Sequence, residues 1–126
     1  QQVSFIDIGS GLGGLVLNLA RQRPDGRFVG IEIAPLPWLV STVRARLGGS
    51  AARFERGDYG RLNFADYDVV FAYLSPAAMP ALWRKAKAEM RSGTLLLSYE
   101  FIIPEAAPDI VLSPDNSGTR LYGWRL

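Results

Sequence analysis

A glycine-rich segment, Gly9-Ser10-Gly11-Leu12-Gly13-Gly14, is the first place in the chain where the residue types suit ligand chemistry. It lies between an apolar, β-branched run and a stretch with helical spacing. Glycines at such a junction let the backbone approach a ligand closely, while the helix N-terminus faces the ligand. Gly9, Gly11 and Gly14 also satisfy the G-x-G-x-x-G spacing of dinucleotide sites. The predicted contacts with a cofactor come from Gly9, Ser10, Gly11 and Gly13.

An acidic residue, Asp7, precedes the first glycine by two positions, at the carboxyl end of the apolar run. A carboxylate at that point repels a pyrophosphate but attracts a ligand that carries an ammonium and a sulfonium group. S-adenosylmethionine has both groups and no phosphate, so Asp7 favours this cofactor over NAD. The other interpretation is that Asp7 only accepts hydrogen bonds from amides of the loop.

Two further acids follow the next two predicted strands. Glu32, with Ile33 beside it, lies about 20 residues beyond the glycines, where a carboxylate accepts hydrogen bonds from ribose hydroxyls in both NAD and S-adenosylmethionine sites. Asp58 is placed to accept the adenine amino group, with Tyr59 packing near the ring. An ordinary turn aspartate before Gly60 is the alternative for Asp58. All three acids fall on the carboxyl edge of the predicted sheet, where ligands of open α/β folds bind.

The segment at the carboxyl end of the fourth predicted strand is expected to face the reactive methyl group of S-adenosylmethionine. Tyr73, Ser75 and Pro76 stand there, and Glu100 ends the fifth strand. Tyr73 is also predicted to touch the cofactor. An amine acceptor would have to lose a proton before it attacks, and Tyr73 and Glu100 are the candidate proton acceptors. The alternatives are that Pro76 only starts a helix and that Tyr73 belongs to the core.

The elements that position these residues alternate between strand and helix, which predicts a doubly wound, mainly parallel, Rossmann-like α/β sheet. The last two strands flank the turn-rich residues 114–118 and predict an antiparallel C-terminal hairpin. Strands are predicted at residues 3–8, 27–33, 52–56, 68–73, 94–101, 109–113 and 119–126, and helices at residues 12–22, 37–47 and 77–90.

With 126 residues, the chain is expected to form one cofactor-binding domain, 1–126, with no separate substrate domain. It opens almost directly on a strand, so we expect a preceding helical segment to be missing. We expect a cytoplasmic protein with no membrane span in this chain, and the missing segment offers one route to membrane association. The absence of cysteine and histidine excludes thiolate and imidazole chemistry. A zinc site would need carboxylates alone, and we expect no metal. A net charge of +2 without a basic stripe makes nucleic acid an unexpected partner.

Asp7-Ile8-Gly9-Ser10-Gly11, together with Glu32 and Asp58, resembles the general pattern of class I S-adenosylmethionine-dependent methyltransferases over nearly the whole chain. A narrower resemblance is to the small protein-lysine methyltransferases of the ATP synthase c-subunit and adenine nucleotide translocase, including prokaryotic relatives. It begins with Gly30-Ile31-Glu32, followed by Pro35 and Trp38-Leu39. Pro76, Met79, Leu82, Lys85, Glu89, Phe101 and Pro104 carry the remainder of that likeness.

The resemblance implies methyl transfer from S-adenosylmethionine to a protein lysine amine, in a bacterial relative of that family. It assigns Asp7, Gly9, Gly11, Glu32 and Asp58 to the cofactor, and it places Tyr73, Ser75 and Pro76 beside the lysine channel. Leu12 departs from the pattern, because the relatives have an aspartate there. Two alternatives remain open: a non-catalytic cofactor-binding module of the same fold, and an NAD(P)-dependent oxidoreductase.

Overall fold

The computed structural model describes residues 2–113 and 118–126, which group into two compact units, 1–63 and 64–126. In the first unit three parallel strands lie in the order β3-β2-β1. The elements of this unit are β1 (Ser4–Ile8), α1 (Gly14–Gln22), β2 (Arg27–Glu32), α2 (Pro35–Leu47), β3 (Arg53–Arg56) and a 3-10 turn at Tyr59–Arg61.

The register of β1 on β2 brings the glycine loop to the end of both strands. Asp7 pairs with Gly30 and Ile8 with Ile31. The amides of Gly9 and Ser10 then both donate to the carbonyl of Ile31, at 2.9 and 3.0 Å. All five residues of β1 are buried, as expected for a parallel strand covered on both faces. The loop therefore leaves the sheet directly beside Glu32.

Both helices of the first unit begin at residues other than the predicted ones. Helix α1 begins at Gly14 and not at residue 12, because Gly11 and Gly13 have positive φ angles that a helix cannot accommodate. Helix α2 begins at Pro35 and not at Pro37. Either proline suits the first turn, where the missing N–H would have no partner in the helix, and the structure uses the earlier one.

The second unit has four strands in the order β4-β5-β7-β6. Strands β4 and β5 are parallel, whereas β7 pairs antiparallel with both β5 and β6. The predicted antiparallel C-terminal pair is thus confirmed, although most of its predicted turn, residues 114–117, lies outside the described residues. The elements are β4 (Val69–Ala72), α3 (Met79–Glu89), β5 (Leu95–Tyr99), β6 (Ile110–Leu112), β7 (Leu121–Arg125) and two 3-10 turns at Phe64–Asp66 and Pro76–Ala78.

The core of the second unit follows the predicted helical stripe. Met79, Leu82 and Ala86 on α3 are fully buried, and Trp124 of β7 is nearly so. The indole N–H of Trp124 donates to the carbonyl of Ala106 at 3.1 Å, which satisfies its one polar atom. Among the described residues, no helix is long and apolar enough to cross a membrane.

Candidate functional site

The glycine loop has the open geometry that a bound ligand requires. Gly11 has a φ of 57°, and a Cβ atom added there would have no atom within 4 Å, so the space above this residue is free. Gly13 serves a different purpose. Its φ is 86°, and a Cβ atom would come within 2.8 Å of both the Phe54 ring and Ser41. One glycine thus keeps space open, and the other permits close packing of the loop on α2 and β3.

Glu32 holds the loop in place through both of its carboxylate oxygens. Oε1 accepts a hydrogen bond from the amide of Gly11 at 2.8 Å, and Oε2 accepts one from the amide of Ala34 at 3.0 Å. The sequence predicted only a contact with ribose. Each carboxylate oxygen can accept more than one hydrogen bond, so capacity for hydroxyl donors remains. The neighbouring Ile33 is 67% exposed.

Asp7 is a buried carboxylic acid, with only 5% of its surface exposed. Burial, with a smaller contribution from the negative charge of Glu32, raises the pKa of Asp7 from 3.8 to about 7. Within residues 2–113 and 118–126, no hydrogen bond to its side chain is present. The interpretation that Asp7 only accepts bonds from loop amides therefore does not hold, and the carboxylate is left for another donor.

Ser10 adds a second buried polar group without a partner. Its hydroxyl oxygen makes no hydrogen bond in the described structure. A Cβ atom on Gly30 would lie 2.8 Å from that oxygen, so the glycine in the middle of β2 is needed for the loop to approach. This requirement was missed at the sequence level, although a glycine inside an apolar strand is a recognised sign of close approach.

These groups fit S-adenosylmethionine. The cofactor offers an ammonium, a sulfonium and ribose hydroxyls. β1 contributes the buried carboxyl group of Asp7, and the loop contributes an unpartnered hydroxyl at Ser10 and free space at Gly11. A buried carboxylate gains most from a cationic ligand, because pairing offsets its loss of hydration.

Asp58 and Tyr59 lie next to the glycine loop because the residue before them, Gly57, is hydrogen-bonded to the backbone of Glu32. The amide of Gly57 donates to the carbonyl of Glu32 at 3.0 Å. Asp58 is exposed, and its Oδ1 accepts from the amide of Gly60 at 3.2 Å, so the turn role considered as the alternative is present. Burial and the charge of Asp58 raise the pKa of Tyr59. Adenine recognition by Asp58 and Tyr59 stays a prediction.

The second unit carries its own polar cluster, built on Tyr73. The phenol of Tyr73 donates to Oε2 of Glu100 at 2.8 Å. Its ring meets Tyr99 edge-on at a centroid distance of 5.2 Å and stacks on Phe101 at 6.3 Å. Tyr73 is 52% exposed, so it is not a core residue. We call Tyr73, Tyr99, Glu100 and Phe101 the aromatic–acid cluster.

Tyr73 is the hydrogen-bond donor and Glu100 the acceptor in this cluster. The hydrogen bond to Glu100, then its negative charge, raises the pKa of Tyr73 above 10.0. Tyr73 is therefore a phenol at neutral pH and acts as a donor, which leaves Glu100 as the group that can accept a proton. Glu100 has a φ of 75°, and it is the one described residue other than glycine with a positive φ. Such strain is often found at functional sites.

Ser75 and Pro76 are both exposed, and they form the turn that connects β4 to α3. Pro76 begins the 3-10 turn Pro76–Ala78 that leads into α3, and the carbonyl of Ser75 accepts from the amide of Ala78 at 3.0 Å. The proposed contact of these two residues with an acceptor stays a prediction.

Comparison with known proteins identifies the family to which this site belongs. Residues 7–110 match the family model of the ANTKMT methyltransferase domain. The chain belongs to this family. It is a family of class I S-adenosylmethionine-dependent methyltransferases, so the cofactor is S-adenosylmethionine and not NAD.

Relatives of this family member act on different acceptors. The rat ATP synthase c-subunit lysine N-methyltransferase is 34% identical over 96% of this chain and 60% of its own length. The tRNA (guanine-N(7)-)-methyltransferase of Exiguobacterium is 33% identical over 94% of this chain and 56% of its own length. The chain spans 42% of the length of the mouse c-subunit methyltransferase and 60% of the rat one.

A solved structure confirms the fold class. An RNA methyltransferase from Salinibacter ruber, crystallised with S-adenosyl-L-homocysteine, is 30% identical, with a TM-score of 0.89 over 98% of this chain and 80% of that one. The predicted α/β fold with an antiparallel C-terminal pair is therefore the fold of a methyltransferase that binds the demethylated cofactor.

Proposed function

We propose that this protein transfers the methyl group of S-adenosylmethionine to a lysine amine of a protein. The observation that carries the methyl transfer is the buried Asp7 carboxylate without a hydrogen-bond donor, beside a glycine loop anchored by Glu32. The aromatic–acid cluster and the c-subunit methyltransferase relatives support the lysine acceptor.

The chain's own residues bind and orient the cofactor, which supplies an electrophilic methyl group on sulfur when it is bound. Asp7 balances the positive charge of the cofactor in a site shielded from water. Glu32 accepts from the ribose hydroxyls while it continues to hold the Gly11 amide. Asp58 accepts from the adenine amino group through the oxygen that Gly60 does not use. Orientation of this kind provides most of the catalysis when the cofactor already carries the reactive group.

The aromatic–acid cluster suits a cationic acceptor. Aromatic faces attract an ammonium group, and the carboxylate of Glu100 adds a negative charge that attracts a cation and repels a phosphate. A lysine ammonium must lose a proton to become a nucleophile. Glu100 accepts that proton directly or through water, while Tyr73 holds the carboxylate in place through the 2.8 Å hydrogen bond.

An RNA acceptor is the second candidate, and it contradicts our expectation that nucleic acid is an unlikely partner. Two observations favour it: the tRNA methyltransferase relative at 33% identity and the RNA methyltransferase structure with a TM-score of 0.89. Exposed aromatic rings also stack on unpaired bases. The Glu100 carboxylate beside those rings is the feature that favours lysine over a phosphate-bearing substrate.

The two acceptors are separated by supplying cofactor with a labelled methyl group to the protein, together with either total tRNA or a lysine-rich protein mixture. Label in lysine that falls strongly with Glu100→Gln supports the proposal. Label in tRNA, unaffected by that variant, supports the second candidate. Binding of S-adenosylhomocysteine, measured by calorimetry in parallel, shows whether the cofactor site is intact. If neither cofactor binding nor transfer is found, the proposed function is wrong.

A further inference from the structure

Helix α2 is apolar on the side that faces away from the sheet. Its buried residues are Ser41 and Ala45. Successive residues of an α-helix are about 100° apart, so Leu36, Leu39, Val43 and Leu47 fall within about 80° of one another, opposite those two. These four side chains are 69%, 49%, 44% and 85% exposed. We call them the α2 stripe.

A surface helix normally turns a polar face to water. Helix α2 instead presents four aliphatic side chains over about 16 Å of its length, at 1.5 Å per residue. Contiguous apolar surface of this kind marks a place where a protein meets a partner or a membrane. The stripe is convex, because its side chains project from one helix, and Leu47 is almost fully exposed at its end.

The charges of α2 narrow the choice of partner. The helix carries Arg44 and Arg46 and no acidic residue. None of the described carboxylates forms an ion pair with either arginine. A symmetric contact between two copies of α2 would bring four arginines together without a counter-charge, which disfavours a dimer. The stripe also lacks the aromatic rings on which nucleic acid bases stack, because the Trp38 indole is turned inward and donates to the carbonyl of Phe54 at 3.0 Å.

A groove beside the α2 stripe also combines apolar surface with positive charge. It has a volume of about 650 Å³ and lies between α1 and the end of α2. Leu17 and Leu47 contribute apolar surface to it, Arg21 and Arg44 contribute positive charge, and no acidic residue lines it. Apolar surface beside unpaired cations is complementary to a molecule with an acyl chain and an anionic head group.

We propose that the α2 stripe docks this protein on the surface of an anionic lipid bilayer. Leu36, Leu39, Val43 and Leu47 enter the boundary between head groups and acyl chains, as the apolar face of an interfacial helix does. Arg46 and the free N–H groups of Arg44 contact lipid phosphates. The groove beside Leu47 accommodates a lipid head group. This inference does not depend on the identity of the methyl acceptor.

The test is sedimentation of the protein with vesicles of phosphatidylcholine alone or of equal parts phosphatidylcholine and phosphatidylglycerol. We expect binding to the anionic vesicles, which Val43→Ser with Leu47→Ser reduces to the level seen with neutral vesicles. Arg46→Gln should weaken binding about fivefold, the fold-change that corresponds to ~1 kcal/mol per arginine near an anionic surface. Leu112→Ser is the matched control, because Leu112 is 54% exposed but lies on β6.

Unchanged binding of S-adenosylhomocysteine shows that each variant is folded. No sedimentation of the wild type with anionic vesicles overturns the proposal, as does equal loss of binding in Leu112→Ser and the α2 variants. A wild-type dimer in light scattering that Leu47→Ser converts to a monomer also overturns it, since the stripe would then be covered by a second copy.

Discussion

Replacing Asp7 by asparagine removes a buried carboxyl group whose pKa is strongly raised by folding. The pKa of Asp7 rises from 3.8 to about 7 on folding, chiefly because of burial. At about 1.4 kcal/mol per pKa unit, burying the ionised form costs the protein without cofactor roughly 4 kcal/mol at high pH. Between pH 3.8 and about 7 the folded state binds more protons than the unfolded state, so stability falls as pH rises through this window.

We therefore expect the free energy of unfolding of the wild type to fall by ~2.5 kcal/mol between pH about 5 and pH about 8 relative to Asp7→Asn. The assay is chemical denaturation at both pH values without cofactor. Asp25→Asn is the control, because Asp25 is 66% exposed in its pair with Arg23, and this variant should follow the wild-type curve. Parallel curves for the wild type and Asp7→Asn would show that burial does not raise the pKa of Asp7.

The same titration governs binding of the cofactor. A cationic ligand pairs with ionised Asp7, so the affinity for S-adenosylmethionine should fall about tenfold per pH unit as pH drops below about 7. In Asp7→Asn the affinity should be weaker at neutral pH and nearly independent of pH. Calorimetric titration at several pH values measures both effects. A pH-independent affinity of the wild type would show that Asp7 does not face the cationic part of the cofactor.

Three further predictions concern the loop and the aromatic–acid cluster. Gly13→Ala should lower the free energy of unfolding by about 2–4 kcal/mol, because of backbone strain and overlap with the Phe54 ring. Gly49→Ala is the control, because its φ is also positive but the space around it is open; it should lower the free energy of unfolding by only about 1 kcal/mol. Glu100→Gln should lower kcat for lysine about 10²-fold, and an unchanged rate would remove Glu100 as the proton acceptor. Tyr73→Phe removes the phenol that donates to Glu100 and should lower kcat less than Glu100→Gln does, with cofactor affinity unchanged as the check on folding.

Local patterns in the sequence were enough to predict the strands and the glycine loop. Continuous apolar runs become buried parallel strands wherever helices cover both faces, and β1 is such a run. Asp7 and Glu32 follow from these strands, because a residue at the carboxyl end of a parallel strand lies at the ligand-binding edge. The antiparallel pairing of β7 was likewise predictable, from two strand-like runs on either side of a turn-rich segment.

Other features depend on which atoms meet in the folded chain. The amides that Glu32 binds come from the loop and from the start of α2, 21 and 2 residues away. Asp58 was expected at the adenine, yet its observed partner is the local Gly60 amide. The outward side of α2 is apolar, whereas helical spacing alone does not show which side of an apolar helix is buried.

The amino-acid sequence by itself determined the alternation of strands and helices and the position of the glycine loop, because both depend on neighbours a few positions apart. Only the tertiary structure decided that Asp7 is buried without a donor, that Tyr73 donates to Glu100 and that the α2 stripe is exposed. Burial and hydrogen bonding are set by atoms from distant parts of the chain. The pKa of Asp7 follows from that arrangement, since loss of hydration and the charge of Glu32 act only once the loop and β2 are in contact.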